Sequence, residues 1–387
     1  MMIGKAFKLT LLLSGLILIQ GCSHTSSQYS NPYAKTNNQT ANRTAIKIAK
    51  YQSLQNTPWN HISTNQTITI DQYNQNINEI RRRLIVLGDL SKSKSRNSNY
   101  YDRNVQQAII QFQWRHGLKQ TGNIDIKTIR ALNITPTEKI ELLNASHAKW
   151  AQYDDSNGNE YILVNVPDYT LRVMKNGRTQ LTLKVIAGTV KNQTPEINSM
   201  VSTIVFNPTW NVPESIISKE IAGFMMDDNN YLSKNNIDIF SNWNGEITKV
   251  DPENLDWMNI QNNGTSLRFT QSSGDHNALG KVKFLFKNSH DVYLHDTQSK
   301  RLFNTQVRAY SHGCIRVEEP LMLAQYLLDN YKDQSVDAHE ETTIFTKTKY
   351  VNLSRKIPIH ITYITAWVDQ YGYTHYRDNI YRKNIWE

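Results

Sequence analysis

Cys314 is the residue of this sequence whose neighbours most clearly suggest chemistry. It follows Gly313, with His312 two positions before it and Arg316 two positions after it, and the chain holds only one other cysteine, Cys22. A thiol attacks as its thiolate, so a catalytic cysteine needs a base or a cation nearby and backbone N–H groups that hold an oxyanion. The pattern therefore predicts a cysteine nucleophile that acts on an acyl group.

Two histidines are candidates for the base, because imidazole titrates near neutral pH. His295 stands in the string Tyr-Leu-His-Asp-Thr, and the fifteen residues between it and Ser311 are enough for a strand, a turn and a return. Cysteine and histidine partners are commonly neighbours in space rather than in sequence. We therefore expect His295 to be the base and His312 to orient the loop, and an exchange of these two roles stays open.

Further residues are candidates for holding the acyl group. Gly313 permits backbone angles closed to other residues, so its N–H and that of Cys314 are predicted to bind the oxyanion. Tyr293 lies two residues before His295, on the same face of a strand, and is predicted to add a hydroxyl. Arg316 alternates with Cys314 in the same way and offers a forked guanidinium to a carboxylate.

Two other interpretations of this stretch stay open. A free cysteine is often a small buried hydrophobic residue, and a single histidine is often a satisfied polar one. Alternatively the stretch forms a zinc site, since imidazole and thiolate are zinc ligands, although the His-Gly-Cys spacing matches no familiar zinc pattern. Its ligands would be His290, His295, His312 and Cys314.

Several spaced motifs resemble one family. They are Asn-Pro-Thr-Trp-Asn-Val-Pro (207–213), Asn-Ala-Leu-Gly-Lys-Val-Lys-Phe (277–284), Tyr-Leu-His-Asp-Thr (293–297) and Ser-His-Gly-Cys-Ile-Arg (311–316). In this order they resemble the L,D-transpeptidases, cysteine enzymes that cross-link bacterial peptidoglycan, and within them the large Gram-negative branch. The resemblance implies a catalytic domain over residues 150–387 that uses no cofactor. It also implies an insertion over 214–264 that caps the substrate, for which a polar surface excursion is the alternative.

The resemblance further implies a reaction with two acyl transfers. Cys314 would attack the carbonyl that follows the L-centre of meso-diaminopimelate in a tetrapeptide donor, and D-alanine would leave. The diaminopimelate amine of an acceptor stem peptide would then attack the thioester to give a 3→3 cross-link, and a carbapenem would acylate the same thiol. Two alternatives stay open: a hydrolase with the same acyl-enzyme, and a non-catalytic lipoprotein that tethers the membrane to peptidoglycan.

The elements that must position these residues follow from periodicity. Residues 71–134 predict three short helices, with apolar residues on one face of each and Gly88 and Gly117 ending the first two. The string Phe-Gln-x-x-His-Gly-Leu (112–118) resembles the small peptidoglycan-binding domain, with an anonymous helical bundle as the alternative. Beyond residue 150 the alternation is that of strands, and Asn176-Gly177 predicts a hairpin. The fold class is therefore α+β, a small three-helix domain followed by a mostly antiparallel β domain.

The N-terminus predicts export. Residues 1–21 carry Lys5 and Lys8 and then an apolar run that ends at Gly21-Cys22, which resembles a lipoprotein signal with Cys22 as the lipidated residue. Residues 22–70 are rich in Ser, Thr, Asn and Gln and predict a flexible linker. The expected location is the periplasm of a Gram-negative bacterium, with a lipid anchor in the outer membrane because Ser23 follows the cysteine.

The chain is basic, with a formal net charge of +9. Such a charge favours acidic partners without choosing among nucleic acid, anionic lipid and a carboxylate-bearing cell wall. No nucleic-acid motif accompanies it, so nucleic acid is not an expected partner. The expected partners are peptidoglycan stem peptides and, through the lipid anchor, the membrane.

Overall fold

The computed structural model describes residues 39–151, 160–241, 247–331, 337–343 and 347–383. The predicted signal segment, Cys22 and the first part of the predicted linker lie outside the described residues. A helical region precedes a mostly β region, which confirms the α+β class. The helices are α1 (Gln39–Gln52), α2 (Ile77–Leu87), α3 (Arg103–Arg115), α4 (Ile126–Asn133), α5 (Pro136–Ala151), α6 (Glu214–Ile216), α7 (Ala222–Asp227), α8 (Tyr231–Lys234), α9 (Trp257–Asn263), α10 (Pro320–Tyr331) and α11 (Ala338–Thr343).

The strands follow one another from residue 160 to residue 376. They are β1 (Glu160–Asn165), β2 (Thr170–Lys175), β3 (Arg178–Gly188), β4 (Ile197–Phe206), β5 (Trp210–Asn211), β6 (Ile237–Phe240), β7 (Lys249–Val250), β8 (Arg268–Gln271), β9 (Val282–Phe286), β10 (Leu294–His295), β11 (Ala309–Ser311), β12 (Ile315–Val317), β13 (Lys349–Thr362), β14 (Ala366–Val368) and β15 (Thr374–Tyr376). No helix among the described residues is both long and apolar enough to cross a bilayer.

Helices α2, α3 and α4 form the predicted three-helix unit, and each boundary has a local cause. Gly88 ends α2 in the left-handed conformation, with φ of 90°. Asp102 caps α3 by accepting the N–H of Val105 at 3.1 Å, and Asp125 caps α4 by accepting that of Thr128 at 2.8 Å. Capping residues of this kind can be recognised from sequence, which is why the prediction holds here.

Helix α1 contradicts part of the flexible linker predicted over 22–70. It packs against α5 and β14, and its buried residues are Thr40, Ala41, Thr44, Ile48 and Tyr51. The prediction is therefore wrong for residues 39–52. The buried face of α1 consists largely of small and hydroxyl-bearing side chains, so it has little apolar periodicity of its own and depends on the aromatic cluster it covers, which includes Trp150 and Trp367.

The central sheet has the strand order β11-β3-β12-β10-β9-β4-β13-β1-β2, and β2 also pairs with β3. The strands from β3 round to β2 therefore close into a barrel. Most pairs are antiparallel, and β1 with β13, β10 with β12 and β11 with β3 are parallel. The predicted hairpin joins β2 to β3, and Asn176 and Gly177 have the positive φ values, 51° and 69°, that such a turn requires.

Alternate residues of the barrel strands face a single apolar core. Ile162 and Val164 of β1 and Leu294 of β10 belong to it, together with Leu323 and Leu327 of α10. The intervening residues of the same strands face outward. The candidate active-site residues lie on this outer face.

The segment between β5 and β8 folds as a unit with its own core. Its four strands pair in the order β5-β8-β6-β7, and α6, α7, α8 and α9 accompany them. The buried apolar residues of this unit are Val212, Ile217, Ile221, Ala222, Met225, Leu232, Ile237, Ile239, Ile260 and Phe269. The interpretation of 214–264 as a polar surface excursion is therefore wrong, and the unit, called the insertion below, extends from residue 210 to residue 271.

Candidate active site

Strand register brings the histidine and the cysteine to the same face of the barrel. In the parallel pair of β10 and β12, Leu294 lies opposite Ile315 and His295 lies opposite Arg316. Leu294 and Ile315 point into the core, so the alternate residues point outward. Tyr293, His295, Cys314 and Arg316 consequently share the outer face of two adjacent strands.

The Cys314 thiol lies in a partly enclosed site beside Tyr293. The Tyr293 hydroxyl and backbone N–H both donate hydrogen bonds to the sulfur, and each lowers the pKa of the thiol. Burial outweighs them and raises that pKa above its ordinary value. The Asp291 carbonyl lies 3.7 Å from Sγ and accepts the S–H. The resting cysteine is therefore a thiol, and two hydrogen-bond donors are in place to stabilise the thiolate when it forms.

His295 is buried, with 5% of its surface exposed. Burial lowers its pKa to about 3, and the cation of Arg316 adds to the effect. Its Nδ1 has no hydrogen-bond partner among the described residues. The imidazole is therefore neutral at ordinary pH, which is the form that can accept a proton.

Arg316 supplies positive charge at the cysteine. Its guanidinium favours the Cys314 thiolate, while burial lowers the pKa of the arginine. Its Nε is buried and lacks a hydrogen-bond partner within the part of the chain that the structure describes. An arginine with an unpaired buried donor is suited to a carboxylate ligand, which would satisfy that donor.

Gly313 has a different role from the one predicted. Its N–H donates to Ser311 Oγ at 3.1 Å, so this N–H is already used within the turn and does not point freely at an oxyanion. Ser311 Oγ–H in turn donates to the Cys314 carbonyl at 2.5 Å, and Thr194 Oγ1–H donates to the Gly313 carbonyl at 2.8 Å. Gly313 has φ of 117°, a backbone angle that the shape of this turn requires. Ser311 and Thr194 also hold the turn, and the sequence does not indicate their contacts.

The insertion contacts this site at two points. His312 Nε2 lies 2.7 Å from Glu220 Oε1, in a π-helical turn over Ile217–Ile221 of the insertion. The Trp210 indole N–H donates to the Tyr293 hydroxyl, which itself donates to Cys314. Sequence motifs included Trp210 without indicating this contact, and nothing in the sequence pairs Glu220 with His312.

Behind His295, Asp296 fixes the end of β10. Its carboxylate accepts the N–H of Lys281 at 2.8 Å and that of Thr297 at 2.7 Å. Gly280 approaches so closely that a Cβ there would lie 2.3 Å from Asp296 Oδ2. The glycine of the 277–284 motif thus leaves room for the carboxylate that holds the histidine strand in place.

The four zinc ligands considered from the sequence do not assemble. His295 is buried whereas His290 is exposed, and His312 is engaged with Glu220. Among the described residues no group of three or more His, Cys, Asp and Glu side chains is placed to hold a metal ion.

Replacing Tyr293 by phenylalanine tests the contact to the thiol. The change removes one hydrogen bond to the thiolate, so the pKa of Cys314 should rise further. The rate of iodoacetamide alkylation against pH measures that pKa. Tyr310→Phe is the matched control, because Tyr310 lies on β11, just before the turn that carries Cys314, and is 40% exposed. An unchanged titration in Tyr293→Phe would mean that the hydroxyl does not stabilise the thiolate.

Two family models match this chain. Residues 159–346 match the YkuD model, described as "L,D-transpeptidase catalytic domain". Residues 73–132 match the model described as "Putative peptidoglycan binding domain". Both matches confirm the resemblances seen in the motifs. The second match favours a peptidoglycan-binding domain over an anonymous helical bundle for the three-helix unit.

The chain is also similar to individual proteins. A protein of Haemophilus influenzae described as "Putative L,D-transpeptidase" is 36% identical over 251 residues, which cover 63% of this chain and 49% of that protein. The chain thus spans about half the length of this curated relative. Among solved structures, an L,D-transpeptidase from Stackebrandtia nassauensis matches 76% of this chain and 94% of its own, at 11% identity and a TM-score of 0.29. One from Mycobacterium smegmatis matches 53% and 58%, at 14% identity and a TM-score of 0.25.

Proposed function

We propose that this chain forms 3→3 cross-links between peptidoglycan stem peptides, since residues 159–346 match the L,D-transpeptidase catalytic domain and residues 73–132 match a putative peptidoglycan binding domain. The observation that carries the proposal is the shared outer face of β10 and β12, where a neutral buried imidazole lies on the strand next to a thiol with two hydrogen-bond donors. This arrangement suits acyl transfer through a thioester.

In the first step the Cys314 thiol attacks the carbonyl that follows the L-centre of diaminopimelate in a tetrapeptide donor. The thiol proton passes to His295 as the S–C bond forms. His295 then gives this proton to the nitrogen of D-alanine, the C–N bond breaks, and a thioester remains. Because the resting pair is uncharged, proton transfer accompanies the attack rather than preceding it.

In the second step the side-chain amine of diaminopimelate in another stem peptide attacks the thioester. His295 accepts a proton from the amine and returns it to the departing sulfur, which restores the thiol. Tyr293 supports both steps as a donor to the sulfur whenever it carries negative charge. Arg316 is the proposed partner of a donor carboxylate.

The insertion favours transfer over hydrolysis. It reaches the site through Glu220 and Trp210, and a cover of this kind limits the access of water to a thioester. An acceptor amine held in the site then competes with fewer water molecules. This supports the transpeptidase over the hydrolase that uses the same acyl-enzyme.

The product of a reaction with soluble tetrapeptide muropeptides tests the proposal. Mass spectrometry should find a cross-linked dimer in which a tripeptide is joined to a tetrapeptide, with the mass of two tetrapeptide muropeptides minus one D-alanine. Tripeptide monomer alone would show hydrolysis instead. Neither product from a folded protein would favour the non-catalytic tether.

We also propose that the protein is exported to the periplasm of a Gram-negative bacterium and anchored to the outer membrane through lipid on Cys22. The support is the apolar run that ends at Gly21-Cys22, with Ser23 after it; these residues lie outside the described part of the chain. Labelling with a fatty-acid analogue should mark the wild-type protein and not Cys22→Ala. Equal labelling of both, or of neither, contradicts the anchor.

A further inference from the structure

A second cavity lies outside the candidate active site, on the outer face of the barrel. Its volume is about 430 Å³, and it forms where α1 and α3 meet the β2–β3 hairpin and the β14–β15 hairpin. None of Cys314, His295, Tyr293 and Arg316 lines it. The proposed mechanism does not involve this cavity.

Aromatic side chains form much of its wall. Trp367 stacks on His375 with ring centroids 5.1 Å apart and planes 11° apart. Trp114 meets the same histidine edge to face at 4.8 Å. Trp114 is 39% exposed and Tyr371 is 76% exposed, so both offer apolar ring surface to a ligand that carries polar groups at its edges.

Two buried polar atoms of the wall lack partners among the described residues. They are Nδ1 of His375 and Nε of Arg43. His375 Nε2–H donates to Asp369 at 2.8 Å, and burial lowers the pKa of the ring, so its Nδ1 is an acceptor while Arg43 Nε is a donor. A ligand that satisfies both must itself both donate and accept hydrogen bonds, as a hydroxyl or an acetamido group does.

The rim of the cavity is held in place by one carboxylate. Asp369 Oδ1 accepts the backbone N–H groups of Tyr371 and Tyr373, each at 2.9 Å, and Asp369 Oδ2 accepts from His375. Gly372 has φ of 83° within the same turn. The turn that carries Tyr371 is therefore preorganised, which lowers the entropic cost of binding.

We propose that this junction cavity binds a saccharide unit of the peptidoglycan glycan strand, through ring stacking on Tyr371 and Trp114 and hydrogen bonds to His375 and Arg43. Saccharides present apolar C–H faces with hydroxyl and acetamido groups around them, which matches this combination of walls. The inference rests on the proposed function for the identity of the polymer, and it adds a glycan site to a reaction that concerns the peptides.

Trp114 connects the junction cavity to a neighbouring groove, so that a polymer could occupy both. It also lines a groove on the helical region, together with Gln107, Gln111 and Tyr373. A linear ligand can therefore pass from this groove across Trp114 into the junction cavity. A strand bound in this way would contact both the peptidoglycan-binding domain and the catalytic domain.

Binding to the full chain carrying Cys314→Ala tests the site without turnover. The probes are a β-1,4-linked tetramer of N-acetylglucosamine and peptidoglycan glycan strands stripped of their stem peptides. Titration calorimetry should show saturable binding, with Kd at least about tenfold weaker after Tyr371→Ala or Arg43→Gln, as expected for loss of a stacking surface or a hydrogen bond. Tyr350→Ala is the matched control, because Tyr350 is an exposed tyrosine of β13 outside the cavity wall.

Three results would overturn the inference. The first is that neither probe binds, and the second is that the cavity variants and the control have equal Kd. The third is that binding is lost only in Gln107→Ala and Gln111→Ala, which would place the ligand in the helical groove alone. A reaction with stem tetrapeptides that carry no sugar separates this outcome from failure of the proposed function. Cross-linking of these peptides by the wild-type protein reports the reaction alone, because a peptide without sugar cannot occupy the glycan site.

Discussion

Replacing Cys314 by alanine is expected to abolish the cross-linked product from tetrapeptide muropeptides, a loss of at least about a thousandfold. The methyl group cannot form the thioester, and no other cysteine is available in the described residues. Because the change removes only the sulfur atom, at a partly exposed site, the free energy of unfolding should change by only about 1 kcal/mol. Mass spectrometry of the products and a denaturant titration measure the two quantities.

Retained activity in Cys314→Ala would refute the nucleophile. If activity is instead lost with a chelator and restored with zinc, a metal mechanism is the better account. Ser311→Ala is a useful companion variant, since it disturbs the turn that presents the cysteine without removing the thiol. It should slow the reaction and leave some product.

A carbapenem is expected to form one covalent adduct on Cys314, and His295→Ala should slow its formation by about a hundredfold or more. The strained lactam carbonyl reacts only where a nucleophile, a base and donors to the developing charge are assembled. The carbapenem carboxylate is a candidate ligand for Arg316, whose buried Nε awaits a partner. Intact-mass spectrometry against time gives the rate of acylation.

His312→Ala is the matched control for the base. His312 lies next to Gly313 but is bonded to Glu220 of the insertion, so its removal should slow acylation much less than that of His295. His295→Gln keeps more of the buried volume and should be as slow as His295→Ala if the base is what matters. Acylation at the wild-type rate in both His295 variants would mean that the base has been misassigned.

Local sequence signals predicted a large part of the fold. Asn176-Gly177 requires positive φ values and so marks the β2–β3 hairpin, and Gly88 marks the end of α2. Helix α1 was missed because its buried face is built from residues such as Thr40 and Ala41, which bury well only against a surface formed elsewhere in the chain. The first residues of β13, from Lys349, are fixed by pairing with β4, a contact that local sequence does not indicate.

The sequence indicates the candidate reacting residues, whereas it does not indicate the contacts around them. Cys314 and His295 carry rare chemistry in a distinctive spacing, so residue type and spacing mark them as candidates. Glu220 and Thr194 are ordinary polar residues, and they matter only because the fold brings them to His312 and to the Gly313 carbonyl. The N–H of Gly313 was assigned to an oxyanion because the sequence does not show that Ser311 already accepts it.

The closure of the barrel has a consequence for how the protein reaches its folded state. Strand β1 pairs in parallel with β13, joining Ile162 to Ile359, positions on the order of 200 residues apart, and such distant contacts raise contact order and slow folding. The ring cannot close until nearly the whole chain has emerged. A chain truncated before β13 would leave β1 and β4 with unpaired edges, which are sites of aggregation. The barrel that carries the shared outer face of β10 and β12 is therefore completed late in folding.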